Sequence, residues 1–198
     1  MKRRATLEEQ HDALFDAKGK VKNYRRAFPL LLIAAKDGHP NAQNLVGYCY
    51  DLGLGPQRDH RTAVLWYKKA AASNCDEAIY NLASCYDQGR GIRKSARKAL
   101  DLNQQAATLG HVWSQCNLGT MYAEGTGTEA DLVLAAQWWR KAAQRNDDKA
   151  QYNLGRAYLG GSGLRKNSRL GEGWLKKAAI NGNKKAAKQC SARGITWQ

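Results

Sequence analysis

Small and apolar residues recur along this chain with the spacing of one face of an α-helix. One pattern has the form A-x-x-x-[LV]-[GA]-x-x-Y, as at Ala150, Leu154, Gly155 and Tyr158. Offsets of four, five and eight residues place these side chains on the same side of a helix. The pattern therefore predicts an amphipathic helix, which we call helix A.

A second pattern follows each copy of helix A. Ala63, Trp66 and Ala70 stand three and four residues apart, which predicts another amphipathic helix, helix B. Both patterns recur every 36 residues, as the last tyrosine of helix A shows: Tyr50, Tyr86, Tyr122 and Tyr158. The small residue of helix A, which would let helix B approach closely, keeps the same period: Gly47, Ala83, Gly119 and Gly155. A period of this length is typical of a helix-pair repeat.

The predicted helix ends repeat with the same period. A Gly-x-Gly sequence follows helix A, and glycine accepts the left-handed backbone of a helix C-cap. Helix B is preceded by a column of good N-cap residues: Asn23, Asp59, Ser95, Asp131 and Asn167. It is followed by a column of Gly or Asn: Gly38, Asn74, Gly110, Asn146 and Gly182. Start signals, faces and stop signals thus all predict the same helices.

These columns resemble the Sel1-like repeat, a relative of the tetratricopeptide repeat. The resemblance implies an all-α fold, a right-handed α/α superhelix, or solenoid, of antiparallel helix pairs in a single domain over residues 1–198. Four units are full: 42–77, 78–113, 114–149 and 150–185. Residues 6–41 form a degenerate first unit, with Thr6 and Glu9 as a capping box, and residues 186–198 form a C-terminal capping helix.

The resemblance also implies a function. Such arrays present a concave face lined by the A helices and hold a partner protein or peptide there, as adaptors or scaffolds, without enzymatic activity. Small bacterial members also serve as immunity or accessory proteins that neutralise a toxin. The positions of helix A outside the A–B core are the predicted partner-binding residues: Asn44, Tyr48, Asp51, Glu77, Tyr80, Asp87, Trp113, Thr120, Lys149, Tyr152 and Arg156. For Tyr80 and Tyr152, a packing role explains the residue equally well.

Positive charge is concentrated near the C-terminus of a chain whose net charge is +15. The predicted basic patch comprises Arg165, Lys166, Arg169, Lys176, Lys177, Lys184, Lys185 and Lys188. It favours an acidic partner protein, and the alternative function is binding of nucleic acid, RNA in particular. A solvated end of the repeat array would explain the same charge.

The sequence gives little evidence for catalysis, for a bound cofactor or for membrane insertion. The four histidines form no metal-binding motif, and the Gly-x-Gly loops lack the preceding strand and the Lys-Ser/Thr ending of a phosphate loop. We therefore expect no cofactor, no metal and no small-molecule substrate. No signal peptide or long apolar run is evident, and five cysteines without a CxxC motif suggest free thiols, of which Cys49 and Cys85 are expected to be buried. The prediction is a cytoplasmic protein with no membrane partner.

Overall fold

The computed structural model describes residue 21 and residues 23–197, and within them the chain forms ten α-helices. The predicted capping box at Thr6 and Glu9 lies outside the described residues. The helices are α1 (Tyr24–Lys36), α2 (Pro40–Leu52), α3 (His60–Ala72), α4 (Asp76–Gln88), α5 (Ala96–Thr108), α6 (Val112–Glu124), α7 (Leu132–Gln144), α8 (Asp148–Gly160), α9 (Ser168–Ile180) and α10 (Lys184–Ala192). Odd-numbered helices are copies of helix B, and even-numbered helices are copies of helix A.

The helices belong to two compact units. Unit 1 ends at Arg93 and contains α1–α4, and unit 2 begins at Lys94 and contains α5–α10. Inside each unit every helix packs against the next one along the chain. Helix A also contacts the following helix A, since α2 meets α4 in unit 1 and α6 meets α8 in unit 2.

Helix B begins where the N-cap column predicts. The side chains of Asn23, Ser95 and Asn167 each accept a hydrogen bond from a backbone N–H in the first turn. Asp59 and Asp131 each accept two such bonds. A cap of this kind stabilises a helix by about 1 kcal/mol because it satisfies an otherwise unpaired donor. The prediction of these five helix starts is confirmed.

The helix ends are confirmed as well. The first glycine after each complete helix A is a left-handed C-cap, with φ between 70° and 75° at Gly53, Gly89, Gly125 and Gly161. After helix B, the column of Gly and Asn also has positive φ throughout. Asn74 at 57° and Asn146 at 66° are the two described non-glycine residues in this region. Asparagine tolerates left-handed backbone better than most residues do.

Close approach of helix A to helix B depends on the small residue of helix A. A Cβ atom at Gly47 would lie 2.7 Å from Cδ1 of Tyr67 in unit 1. A Cβ atom at Gly119 would lie 2.5 Å from Cδ1 of Trp139 in unit 2. Each glycine therefore makes room for a large aromatic side chain that is at least nine-tenths buried.

The A helices have N-caps that the sequence interpretation missed. His111 Nδ1 accepts from the Ser114 backbone N–H at 3.2 Å, so this histidine begins α6. Asp147 and Asn183 cap α8 and α10 in the same repeat position. The signal was present, because Asp147 and Asn183 directly follow the Gly/Asn column.

Candidate functional site

The predicted partner-binding residues of unit 1 lie on α2 and α4, and they differ in exposure. Glu77 and Asp87 are exposed, whereas Tyr48 and Tyr80 are half-buried. Asn44 and Asp51 are buried, with 4% and 5% of their surface exposed. These two positions therefore offer almost no surface to a partner, and their side chains are used inside the unit.

Asp51 is the centre of a buried polar cluster. Its Oδ1 accepts a hydrogen bond from Nδ1 of His60 at 2.7 Å, and its Oδ2 accepts one from Arg90 at 2.6 Å. The second guanidinium nitrogen of Arg90 donates to Ser84 Oγ at 3.1 Å. The neighbouring Tyr67 is fully buried, which raises its pKa, and the charge of Asp51 raises that pKa further. The carboxylate is thus already paired and holds α2, α3 and the loop after α4 together.

Asn44 plays a similar internal role. Its Nδ2 donates to Oε2 of Glu77 at 3.1 Å, and its Oδ1 accepts from Asn81 Nδ2 at 2.9 Å. Both partners are on α4, so the amide joins two neighbouring A helices. Tyr48, one turn further along α2, packs its ring 5.5 Å from the ring of Tyr24.

The predicted residues of unit 2 are more accessible. Trp113 is 60% exposed on α6, and Lys149 and Arg156 are exposed on α8. Lys149 follows Trp113 by 36 residues, and Arg156 follows Thr120 by the same interval. Because α6 and α8 contact each other, these equivalent positions lie side by side. Unit 2 therefore presents an exposed aromatic and two cations on adjacent A helices.

Neighbouring side chains orient this surface. The imidazole of His111 meets the Trp113 ring edge to face, with 5.6 Å between the centroids. Half-buried Thr120 accepts a hydrogen bond from Trp139 Nε1 at 3.4 Å. Thr120 therefore serves the A–B packing of its own repeat, whereas Trp113 stands at the surface.

Tyr152 combines the two interpretations that the sequence left open. Its ring packs against the buried cluster that includes Leu175 and Ala178, and it is half-buried. The guanidinium carbon of Arg156 lies 5.8 Å from the ring centre, within the range of a cation–π contact. The ring is thus held by the core on one side and faces a cation on the other.

The eight residues of the predicted basic patch are all exposed. Within residues 23–197, no salt bridge includes any of them. They form two groups by element. Arg165, Lys166, Arg169, Lys176 and Lys177 lie in the loop before α9 or on α9, and Lys184, Lys185 and Lys188 lie on α10.

Lys177 belongs to a recurring pair that the sequence interpretation did not identify. Its Nζ lies 4.5 Å from the centre of the Trp174 ring. Lys69 lies over Trp66 at 4.4 Å, and Lys141 lies over Trp138 at 3.9 Å. In the remaining full unit both members change together, to Leu102 and Gln105. This joint change was the signal that the lysine and tryptophan form a pair.

The described residues offer few groups suited to catalysis. All five cysteines are free and buried, and burial raises the pKa of Cys49 and Cys85 to about 11. A cleft of about 350 Å³ between α7, α8 and α9 is lined by one ionisable side chain, Lys177, which is held over Trp174. No three His, Cys, Asp or Glu residues among those described stand close enough to hold a metal ion. No helix in the same part of the chain is both long and apolar enough to cross a bilayer.

Comparison with known proteins identifies the repeat. The chain is 32% identical to a Sel1 repeat protein from Oxalobacter formigenes, whose structure matches with a TM-score of 0.82 over 89% of this chain and 72% of that chain. A protective antigen of uropathogenic Escherichia coli that displays an SLR fold matches with a TM-score of 0.81 and 28% identity, over 92% of this chain and 40% of that chain. The predicted all-α helix-pair fold is confirmed.

A curated relative matches a shorter segment. The chitin synthase regulator SKT5 of Saccharomyces cerevisiae is 41% identical over 64 residues, which are 32% of this chain and 9% of that protein. The chain thus spans less than a tenth of that relative's length. The Sel1 repeat model itself matches residues 13–39, 40–75, 76–111, 114–147 and 148–183. These matches cover most of the sequence, and the chain belongs to the Sel1 repeat family.

Proposed function

We propose that this protein is a non-enzymatic scaffold that binds a partner protein through the A-helix surface of unit 2. Members of the Sel1 repeat family generally act in protein–protein interaction. The observation that carries the proposal is Trp113, a tryptophan 60% exposed on α6 beside the exposed Lys149 and Arg156 of α8. Tryptophan, tyrosine and arginine are the residue types that most often dominate binding free energy at protein interfaces.

The arrangement around Trp113 supports a rigid anchor. Its neighbours Ser114 and Cys116 are buried on the same helix, and the His111 ring contacts its edge. A side chain held in this way loses little conformational freedom when it enters a partner's pocket. Burying the exposed part of an indole contributes on the order of 1–3 kcal/mol to association.

The chemistry of the titratable groups supports a non-enzymatic role. Burial raises the pKa of the thiols, which lowers the population of the nucleophilic thiolate. The buried carboxylate of Asp51 is engaged by Arg90 and His60. Five free cysteines also support the predicted cytoplasmic location, where thiols stay reduced.

The narrower hypothesis, an immunity or accessory protein that neutralises a toxin, rests on the family resemblance alone. The identity of the partner would decide between this role and a general adaptor. Binding would occlude an active surface of the toxin in the first case, and it would leave the partner active in the second.

Affinity capture with the full chain tests the scaffold proposal. Wild type and the double variant Trp113→Ala, Arg156→Ala would be immobilised at equal density and exposed to lysate of the source organism. We expect the double variant to lose affinity for its specific partner by at least about 30-fold, since a hot-spot truncation costs about 2 kcal/mol or more and 1.4 kcal/mol corresponds to a factor of ten. Equal recovery of every protein by the two forms would contradict the proposal.

A matched control is available in the same unit. Val133 is 54% exposed on α7, a helix B, so Val133→Ala removes a comparably exposed apolar side chain from a different surface. This variant should retain the partner. Far-UV circular dichroism of all three forms would establish that loss of the partner is not loss of the fold.

A further inference from the structure

The A helices at the C-terminal end carry four exposed cations, two of which occupy equivalent repeat positions. Lys149 and Arg156 lie on α8, and Lys185 and Lys188 lie on α10. Lys185 follows Lys149 by 36 residues, and Lys188 follows Tyr152 by the same interval. We call these four cations, together with Tyr152, the terminal A face.

A hydrogen-bonded pair brings the beginnings of α8 and α10 together. Nδ2 of Asn183, the N-cap of α10, donates to the Asp148 carboxylate at 2.9 Å and to its carbonyl oxygen at 3.3 Å. Lys149 directly follows Asp148, and Lys185 stands two residues after Asn183. Lys149 and Lys185 therefore lie near each other, each in the first turn of its helix.

The carboxylates at the starts of these helices are already engaged. Asp147 caps α8 through a 2.7 Å hydrogen bond from the Ala150 backbone N–H. Asp148 accepts the bond from Asn183. Glu172, the remaining carboxylate in residues 150–185, belongs to α9, a helix B. The terminal A face thus carries four exposed cations, with the half-buried carboxylates of Asp147 and Asp148 at the start of α8.

Helix stability does not account for this charge. Lys184 and Lys185 occupy the first turn of α10, which has no acidic residue there. The positive end of the helix dipole disfavours cations at this position. Beside these lysines, the Asp148 carboxylate that is hydrogen-bonded to the N-cap Asn183 supplies one negative charge, which leaves positive charge in excess at this end of the helix.

We propose that the terminal A face binds an acidic peptide segment of the partner protein. Carboxylates of that segment would pair with Lys149, Arg156, Lys185 and Lys188, and an apolar side chain between them would pack on the part of the half-buried Tyr152 ring that stays exposed. The core holds the Tyr152 ring on one side, and Arg156 lies over it at 5.8 Å. The inference rests on the proposed function and adds the chemistry of the partner.

The terminal A face has four cations but a single aromatic ring, and this combination favours a peptide over RNA as its ligand. Single-stranded RNA is bound by grooves in which successive bases stack on exposed aromatic rings. The terminal A face has one aromatic ring, and it is half-buried. Four cations around a single apolar platform match alternating acidic and apolar side chains.

Selection from a random peptide library tests the proposal directly. A display library of random dodecapeptides would be selected on the full wild-type chain at physiological salt. We expect the enriched sequences to be rich in Asp and Glu, with at least one apolar residue between acidic ones. An enriched set that is neutral or basic, or no enrichment at all, would overturn the proposal.

Two charge-reversal variants locate the site. The test variant is Lys149→Glu, Arg156→Glu, Lys185→Glu, and the control variant is Arg165→Glu, Lys166→Glu, Arg169→Glu. Both change the net charge equally, and all six residues are exposed. The test variant should bind a synthetic enriched peptide at least about tenfold more weakly, whereas the control should change affinity by less than about threefold. Equal losses would mean that only the overall charge attracts the peptide, and would refute a site at the terminal A face.

A single-stranded RNA oligonucleotide serves as the second probe. We expect RNA to bind more weakly than the enriched peptide at the same salt concentration. Tighter binding of RNA, weakened equally by both variants and falling steeply with salt, would replace the peptide proposal with nucleic-acid binding.

The capture experiment distinguishes failure of the acidic-peptide proposal from failure of the scaffold proposal. A partner lost with Trp113→Ala, Arg156→Ala but retained by Lys149→Glu, Lys185→Glu would leave the scaffold function intact and refute the acidic segment. Absence of any specific partner on the wild-type chain would refute the scaffold function itself.

Discussion

The A helices of the two units use charge in opposite ways. In unit 1 a buried aspartate, Asp51, pairs with Arg90 and His60, and the buried amide of Asn44 pairs with Glu77. In unit 2 the cations Lys149 and Arg156 are exposed, and no salt bridge among the described residues includes them. The same face of the repeat thus holds the fold together in unit 1 and carries exposed charge in unit 2.

The difference has a simple electrostatic origin. A buried carboxylate is costly unless paired charges and hydrogen bonds compensate for its lost hydration, so Asp51 requires its neighbours. An exposed lysine retains its hydration and needs no internal partner. Asp87, which follows Asp51 by 36 residues, is exposed, so the repeat position does not determine which role a residue takes.

The largest loss of unfolding free energy is expected when the polar cluster around Asp51 in unit 1 is broken. Asp51→Ala leaves Arg90 and His60 without their shared carboxylate and should lower the free energy of unfolding by about 3 kcal/mol. Urea unfolding followed by circular dichroism would measure it. Asp87→Ala, the equivalent change at an exposed position, should stay within about 0.5 kcal/mol. Similar losses of unfolding free energy in the two variants would contradict the predicted difference between the buried and the exposed aspartate.

Thiol labelling can report the two units separately. In the native state at pH 8 the five buried thiols should react far more slowly with a disulfide reagent than in urea, because burial raises their pKa and blocks access. Asp51→Ala should accelerate labelling of Cys49 and Cys85 in unit 1 by about 100-fold, since 1.4 kcal/mol corresponds to a factor of ten. Peptide mapping should find Cys116 in unit 2 nearly unchanged. Equal acceleration at all sites would show that the cluster stabilises more than its own unit.

A smaller effect is expected from the lysine–tryptophan pairs, which both units share. Lys69→Gln in unit 1 and Lys141→Gln in unit 2 should each cost about 0.5–1 kcal/mol, because each removes a cation over an indole ring. A double-mutant cycle with Trp138→Leu would isolate the coupling in unit 2. A coupling free energy of zero between Lys141 and Trp138 would mean that the joint replacement of this pair by Leu102 and Gln105 has another cause.

The smallest effect on stability should come from the exposed cations of unit 2. Lys149→Ala, Arg156→Ala and Lys185→Ala together should shift the free energy of unfolding by less than about 1 kcal/mol, since exposed substitutions away from caps and cores change little. A urea midpoint clearly below that of wild type would show that these residues support the fold after all. The predicted separation of structural and binding charges would then fail.

The sequence predicted the helix ends because their causes are local. A glycine at positive φ or an aspartate that caps the next turn acts within four residues, so the 36-residue columns identify such positions. At the start of helix A, His111 gave a weak signal because histidine is an unusual capping residue, whereas Asp147 and Asn183 in the same column are ordinary cap types whose signal was present. The lysine–tryptophan pairs were equally local, but their signal lay in a joint change at two columns.

The candidate binding residues were harder to predict because exposure depends on contacts between repeats. The sequence placed Asn44 and Asp51 on the same face as Tyr48, which helical spacing supports. The buried carboxylate of Asp51 is paired with Arg90, which is 39 residues away and outside the repeat period. A contact of this kind cannot be found by comparing equivalent positions of the repeats, and it is visible only in the tertiary structure.

What the sequence determined by itself is the repeat: its period, its helix boundaries and the family to which it belongs. These features follow from backbone conformation and amphipathic spacing, which each short segment encodes alone. The tertiary structure decided which charges are used internally and which remain exposed. Desolvation and pairing depend on side chains from different helices, so the contrast between Asp51 and Lys149 arises only when those helices pack.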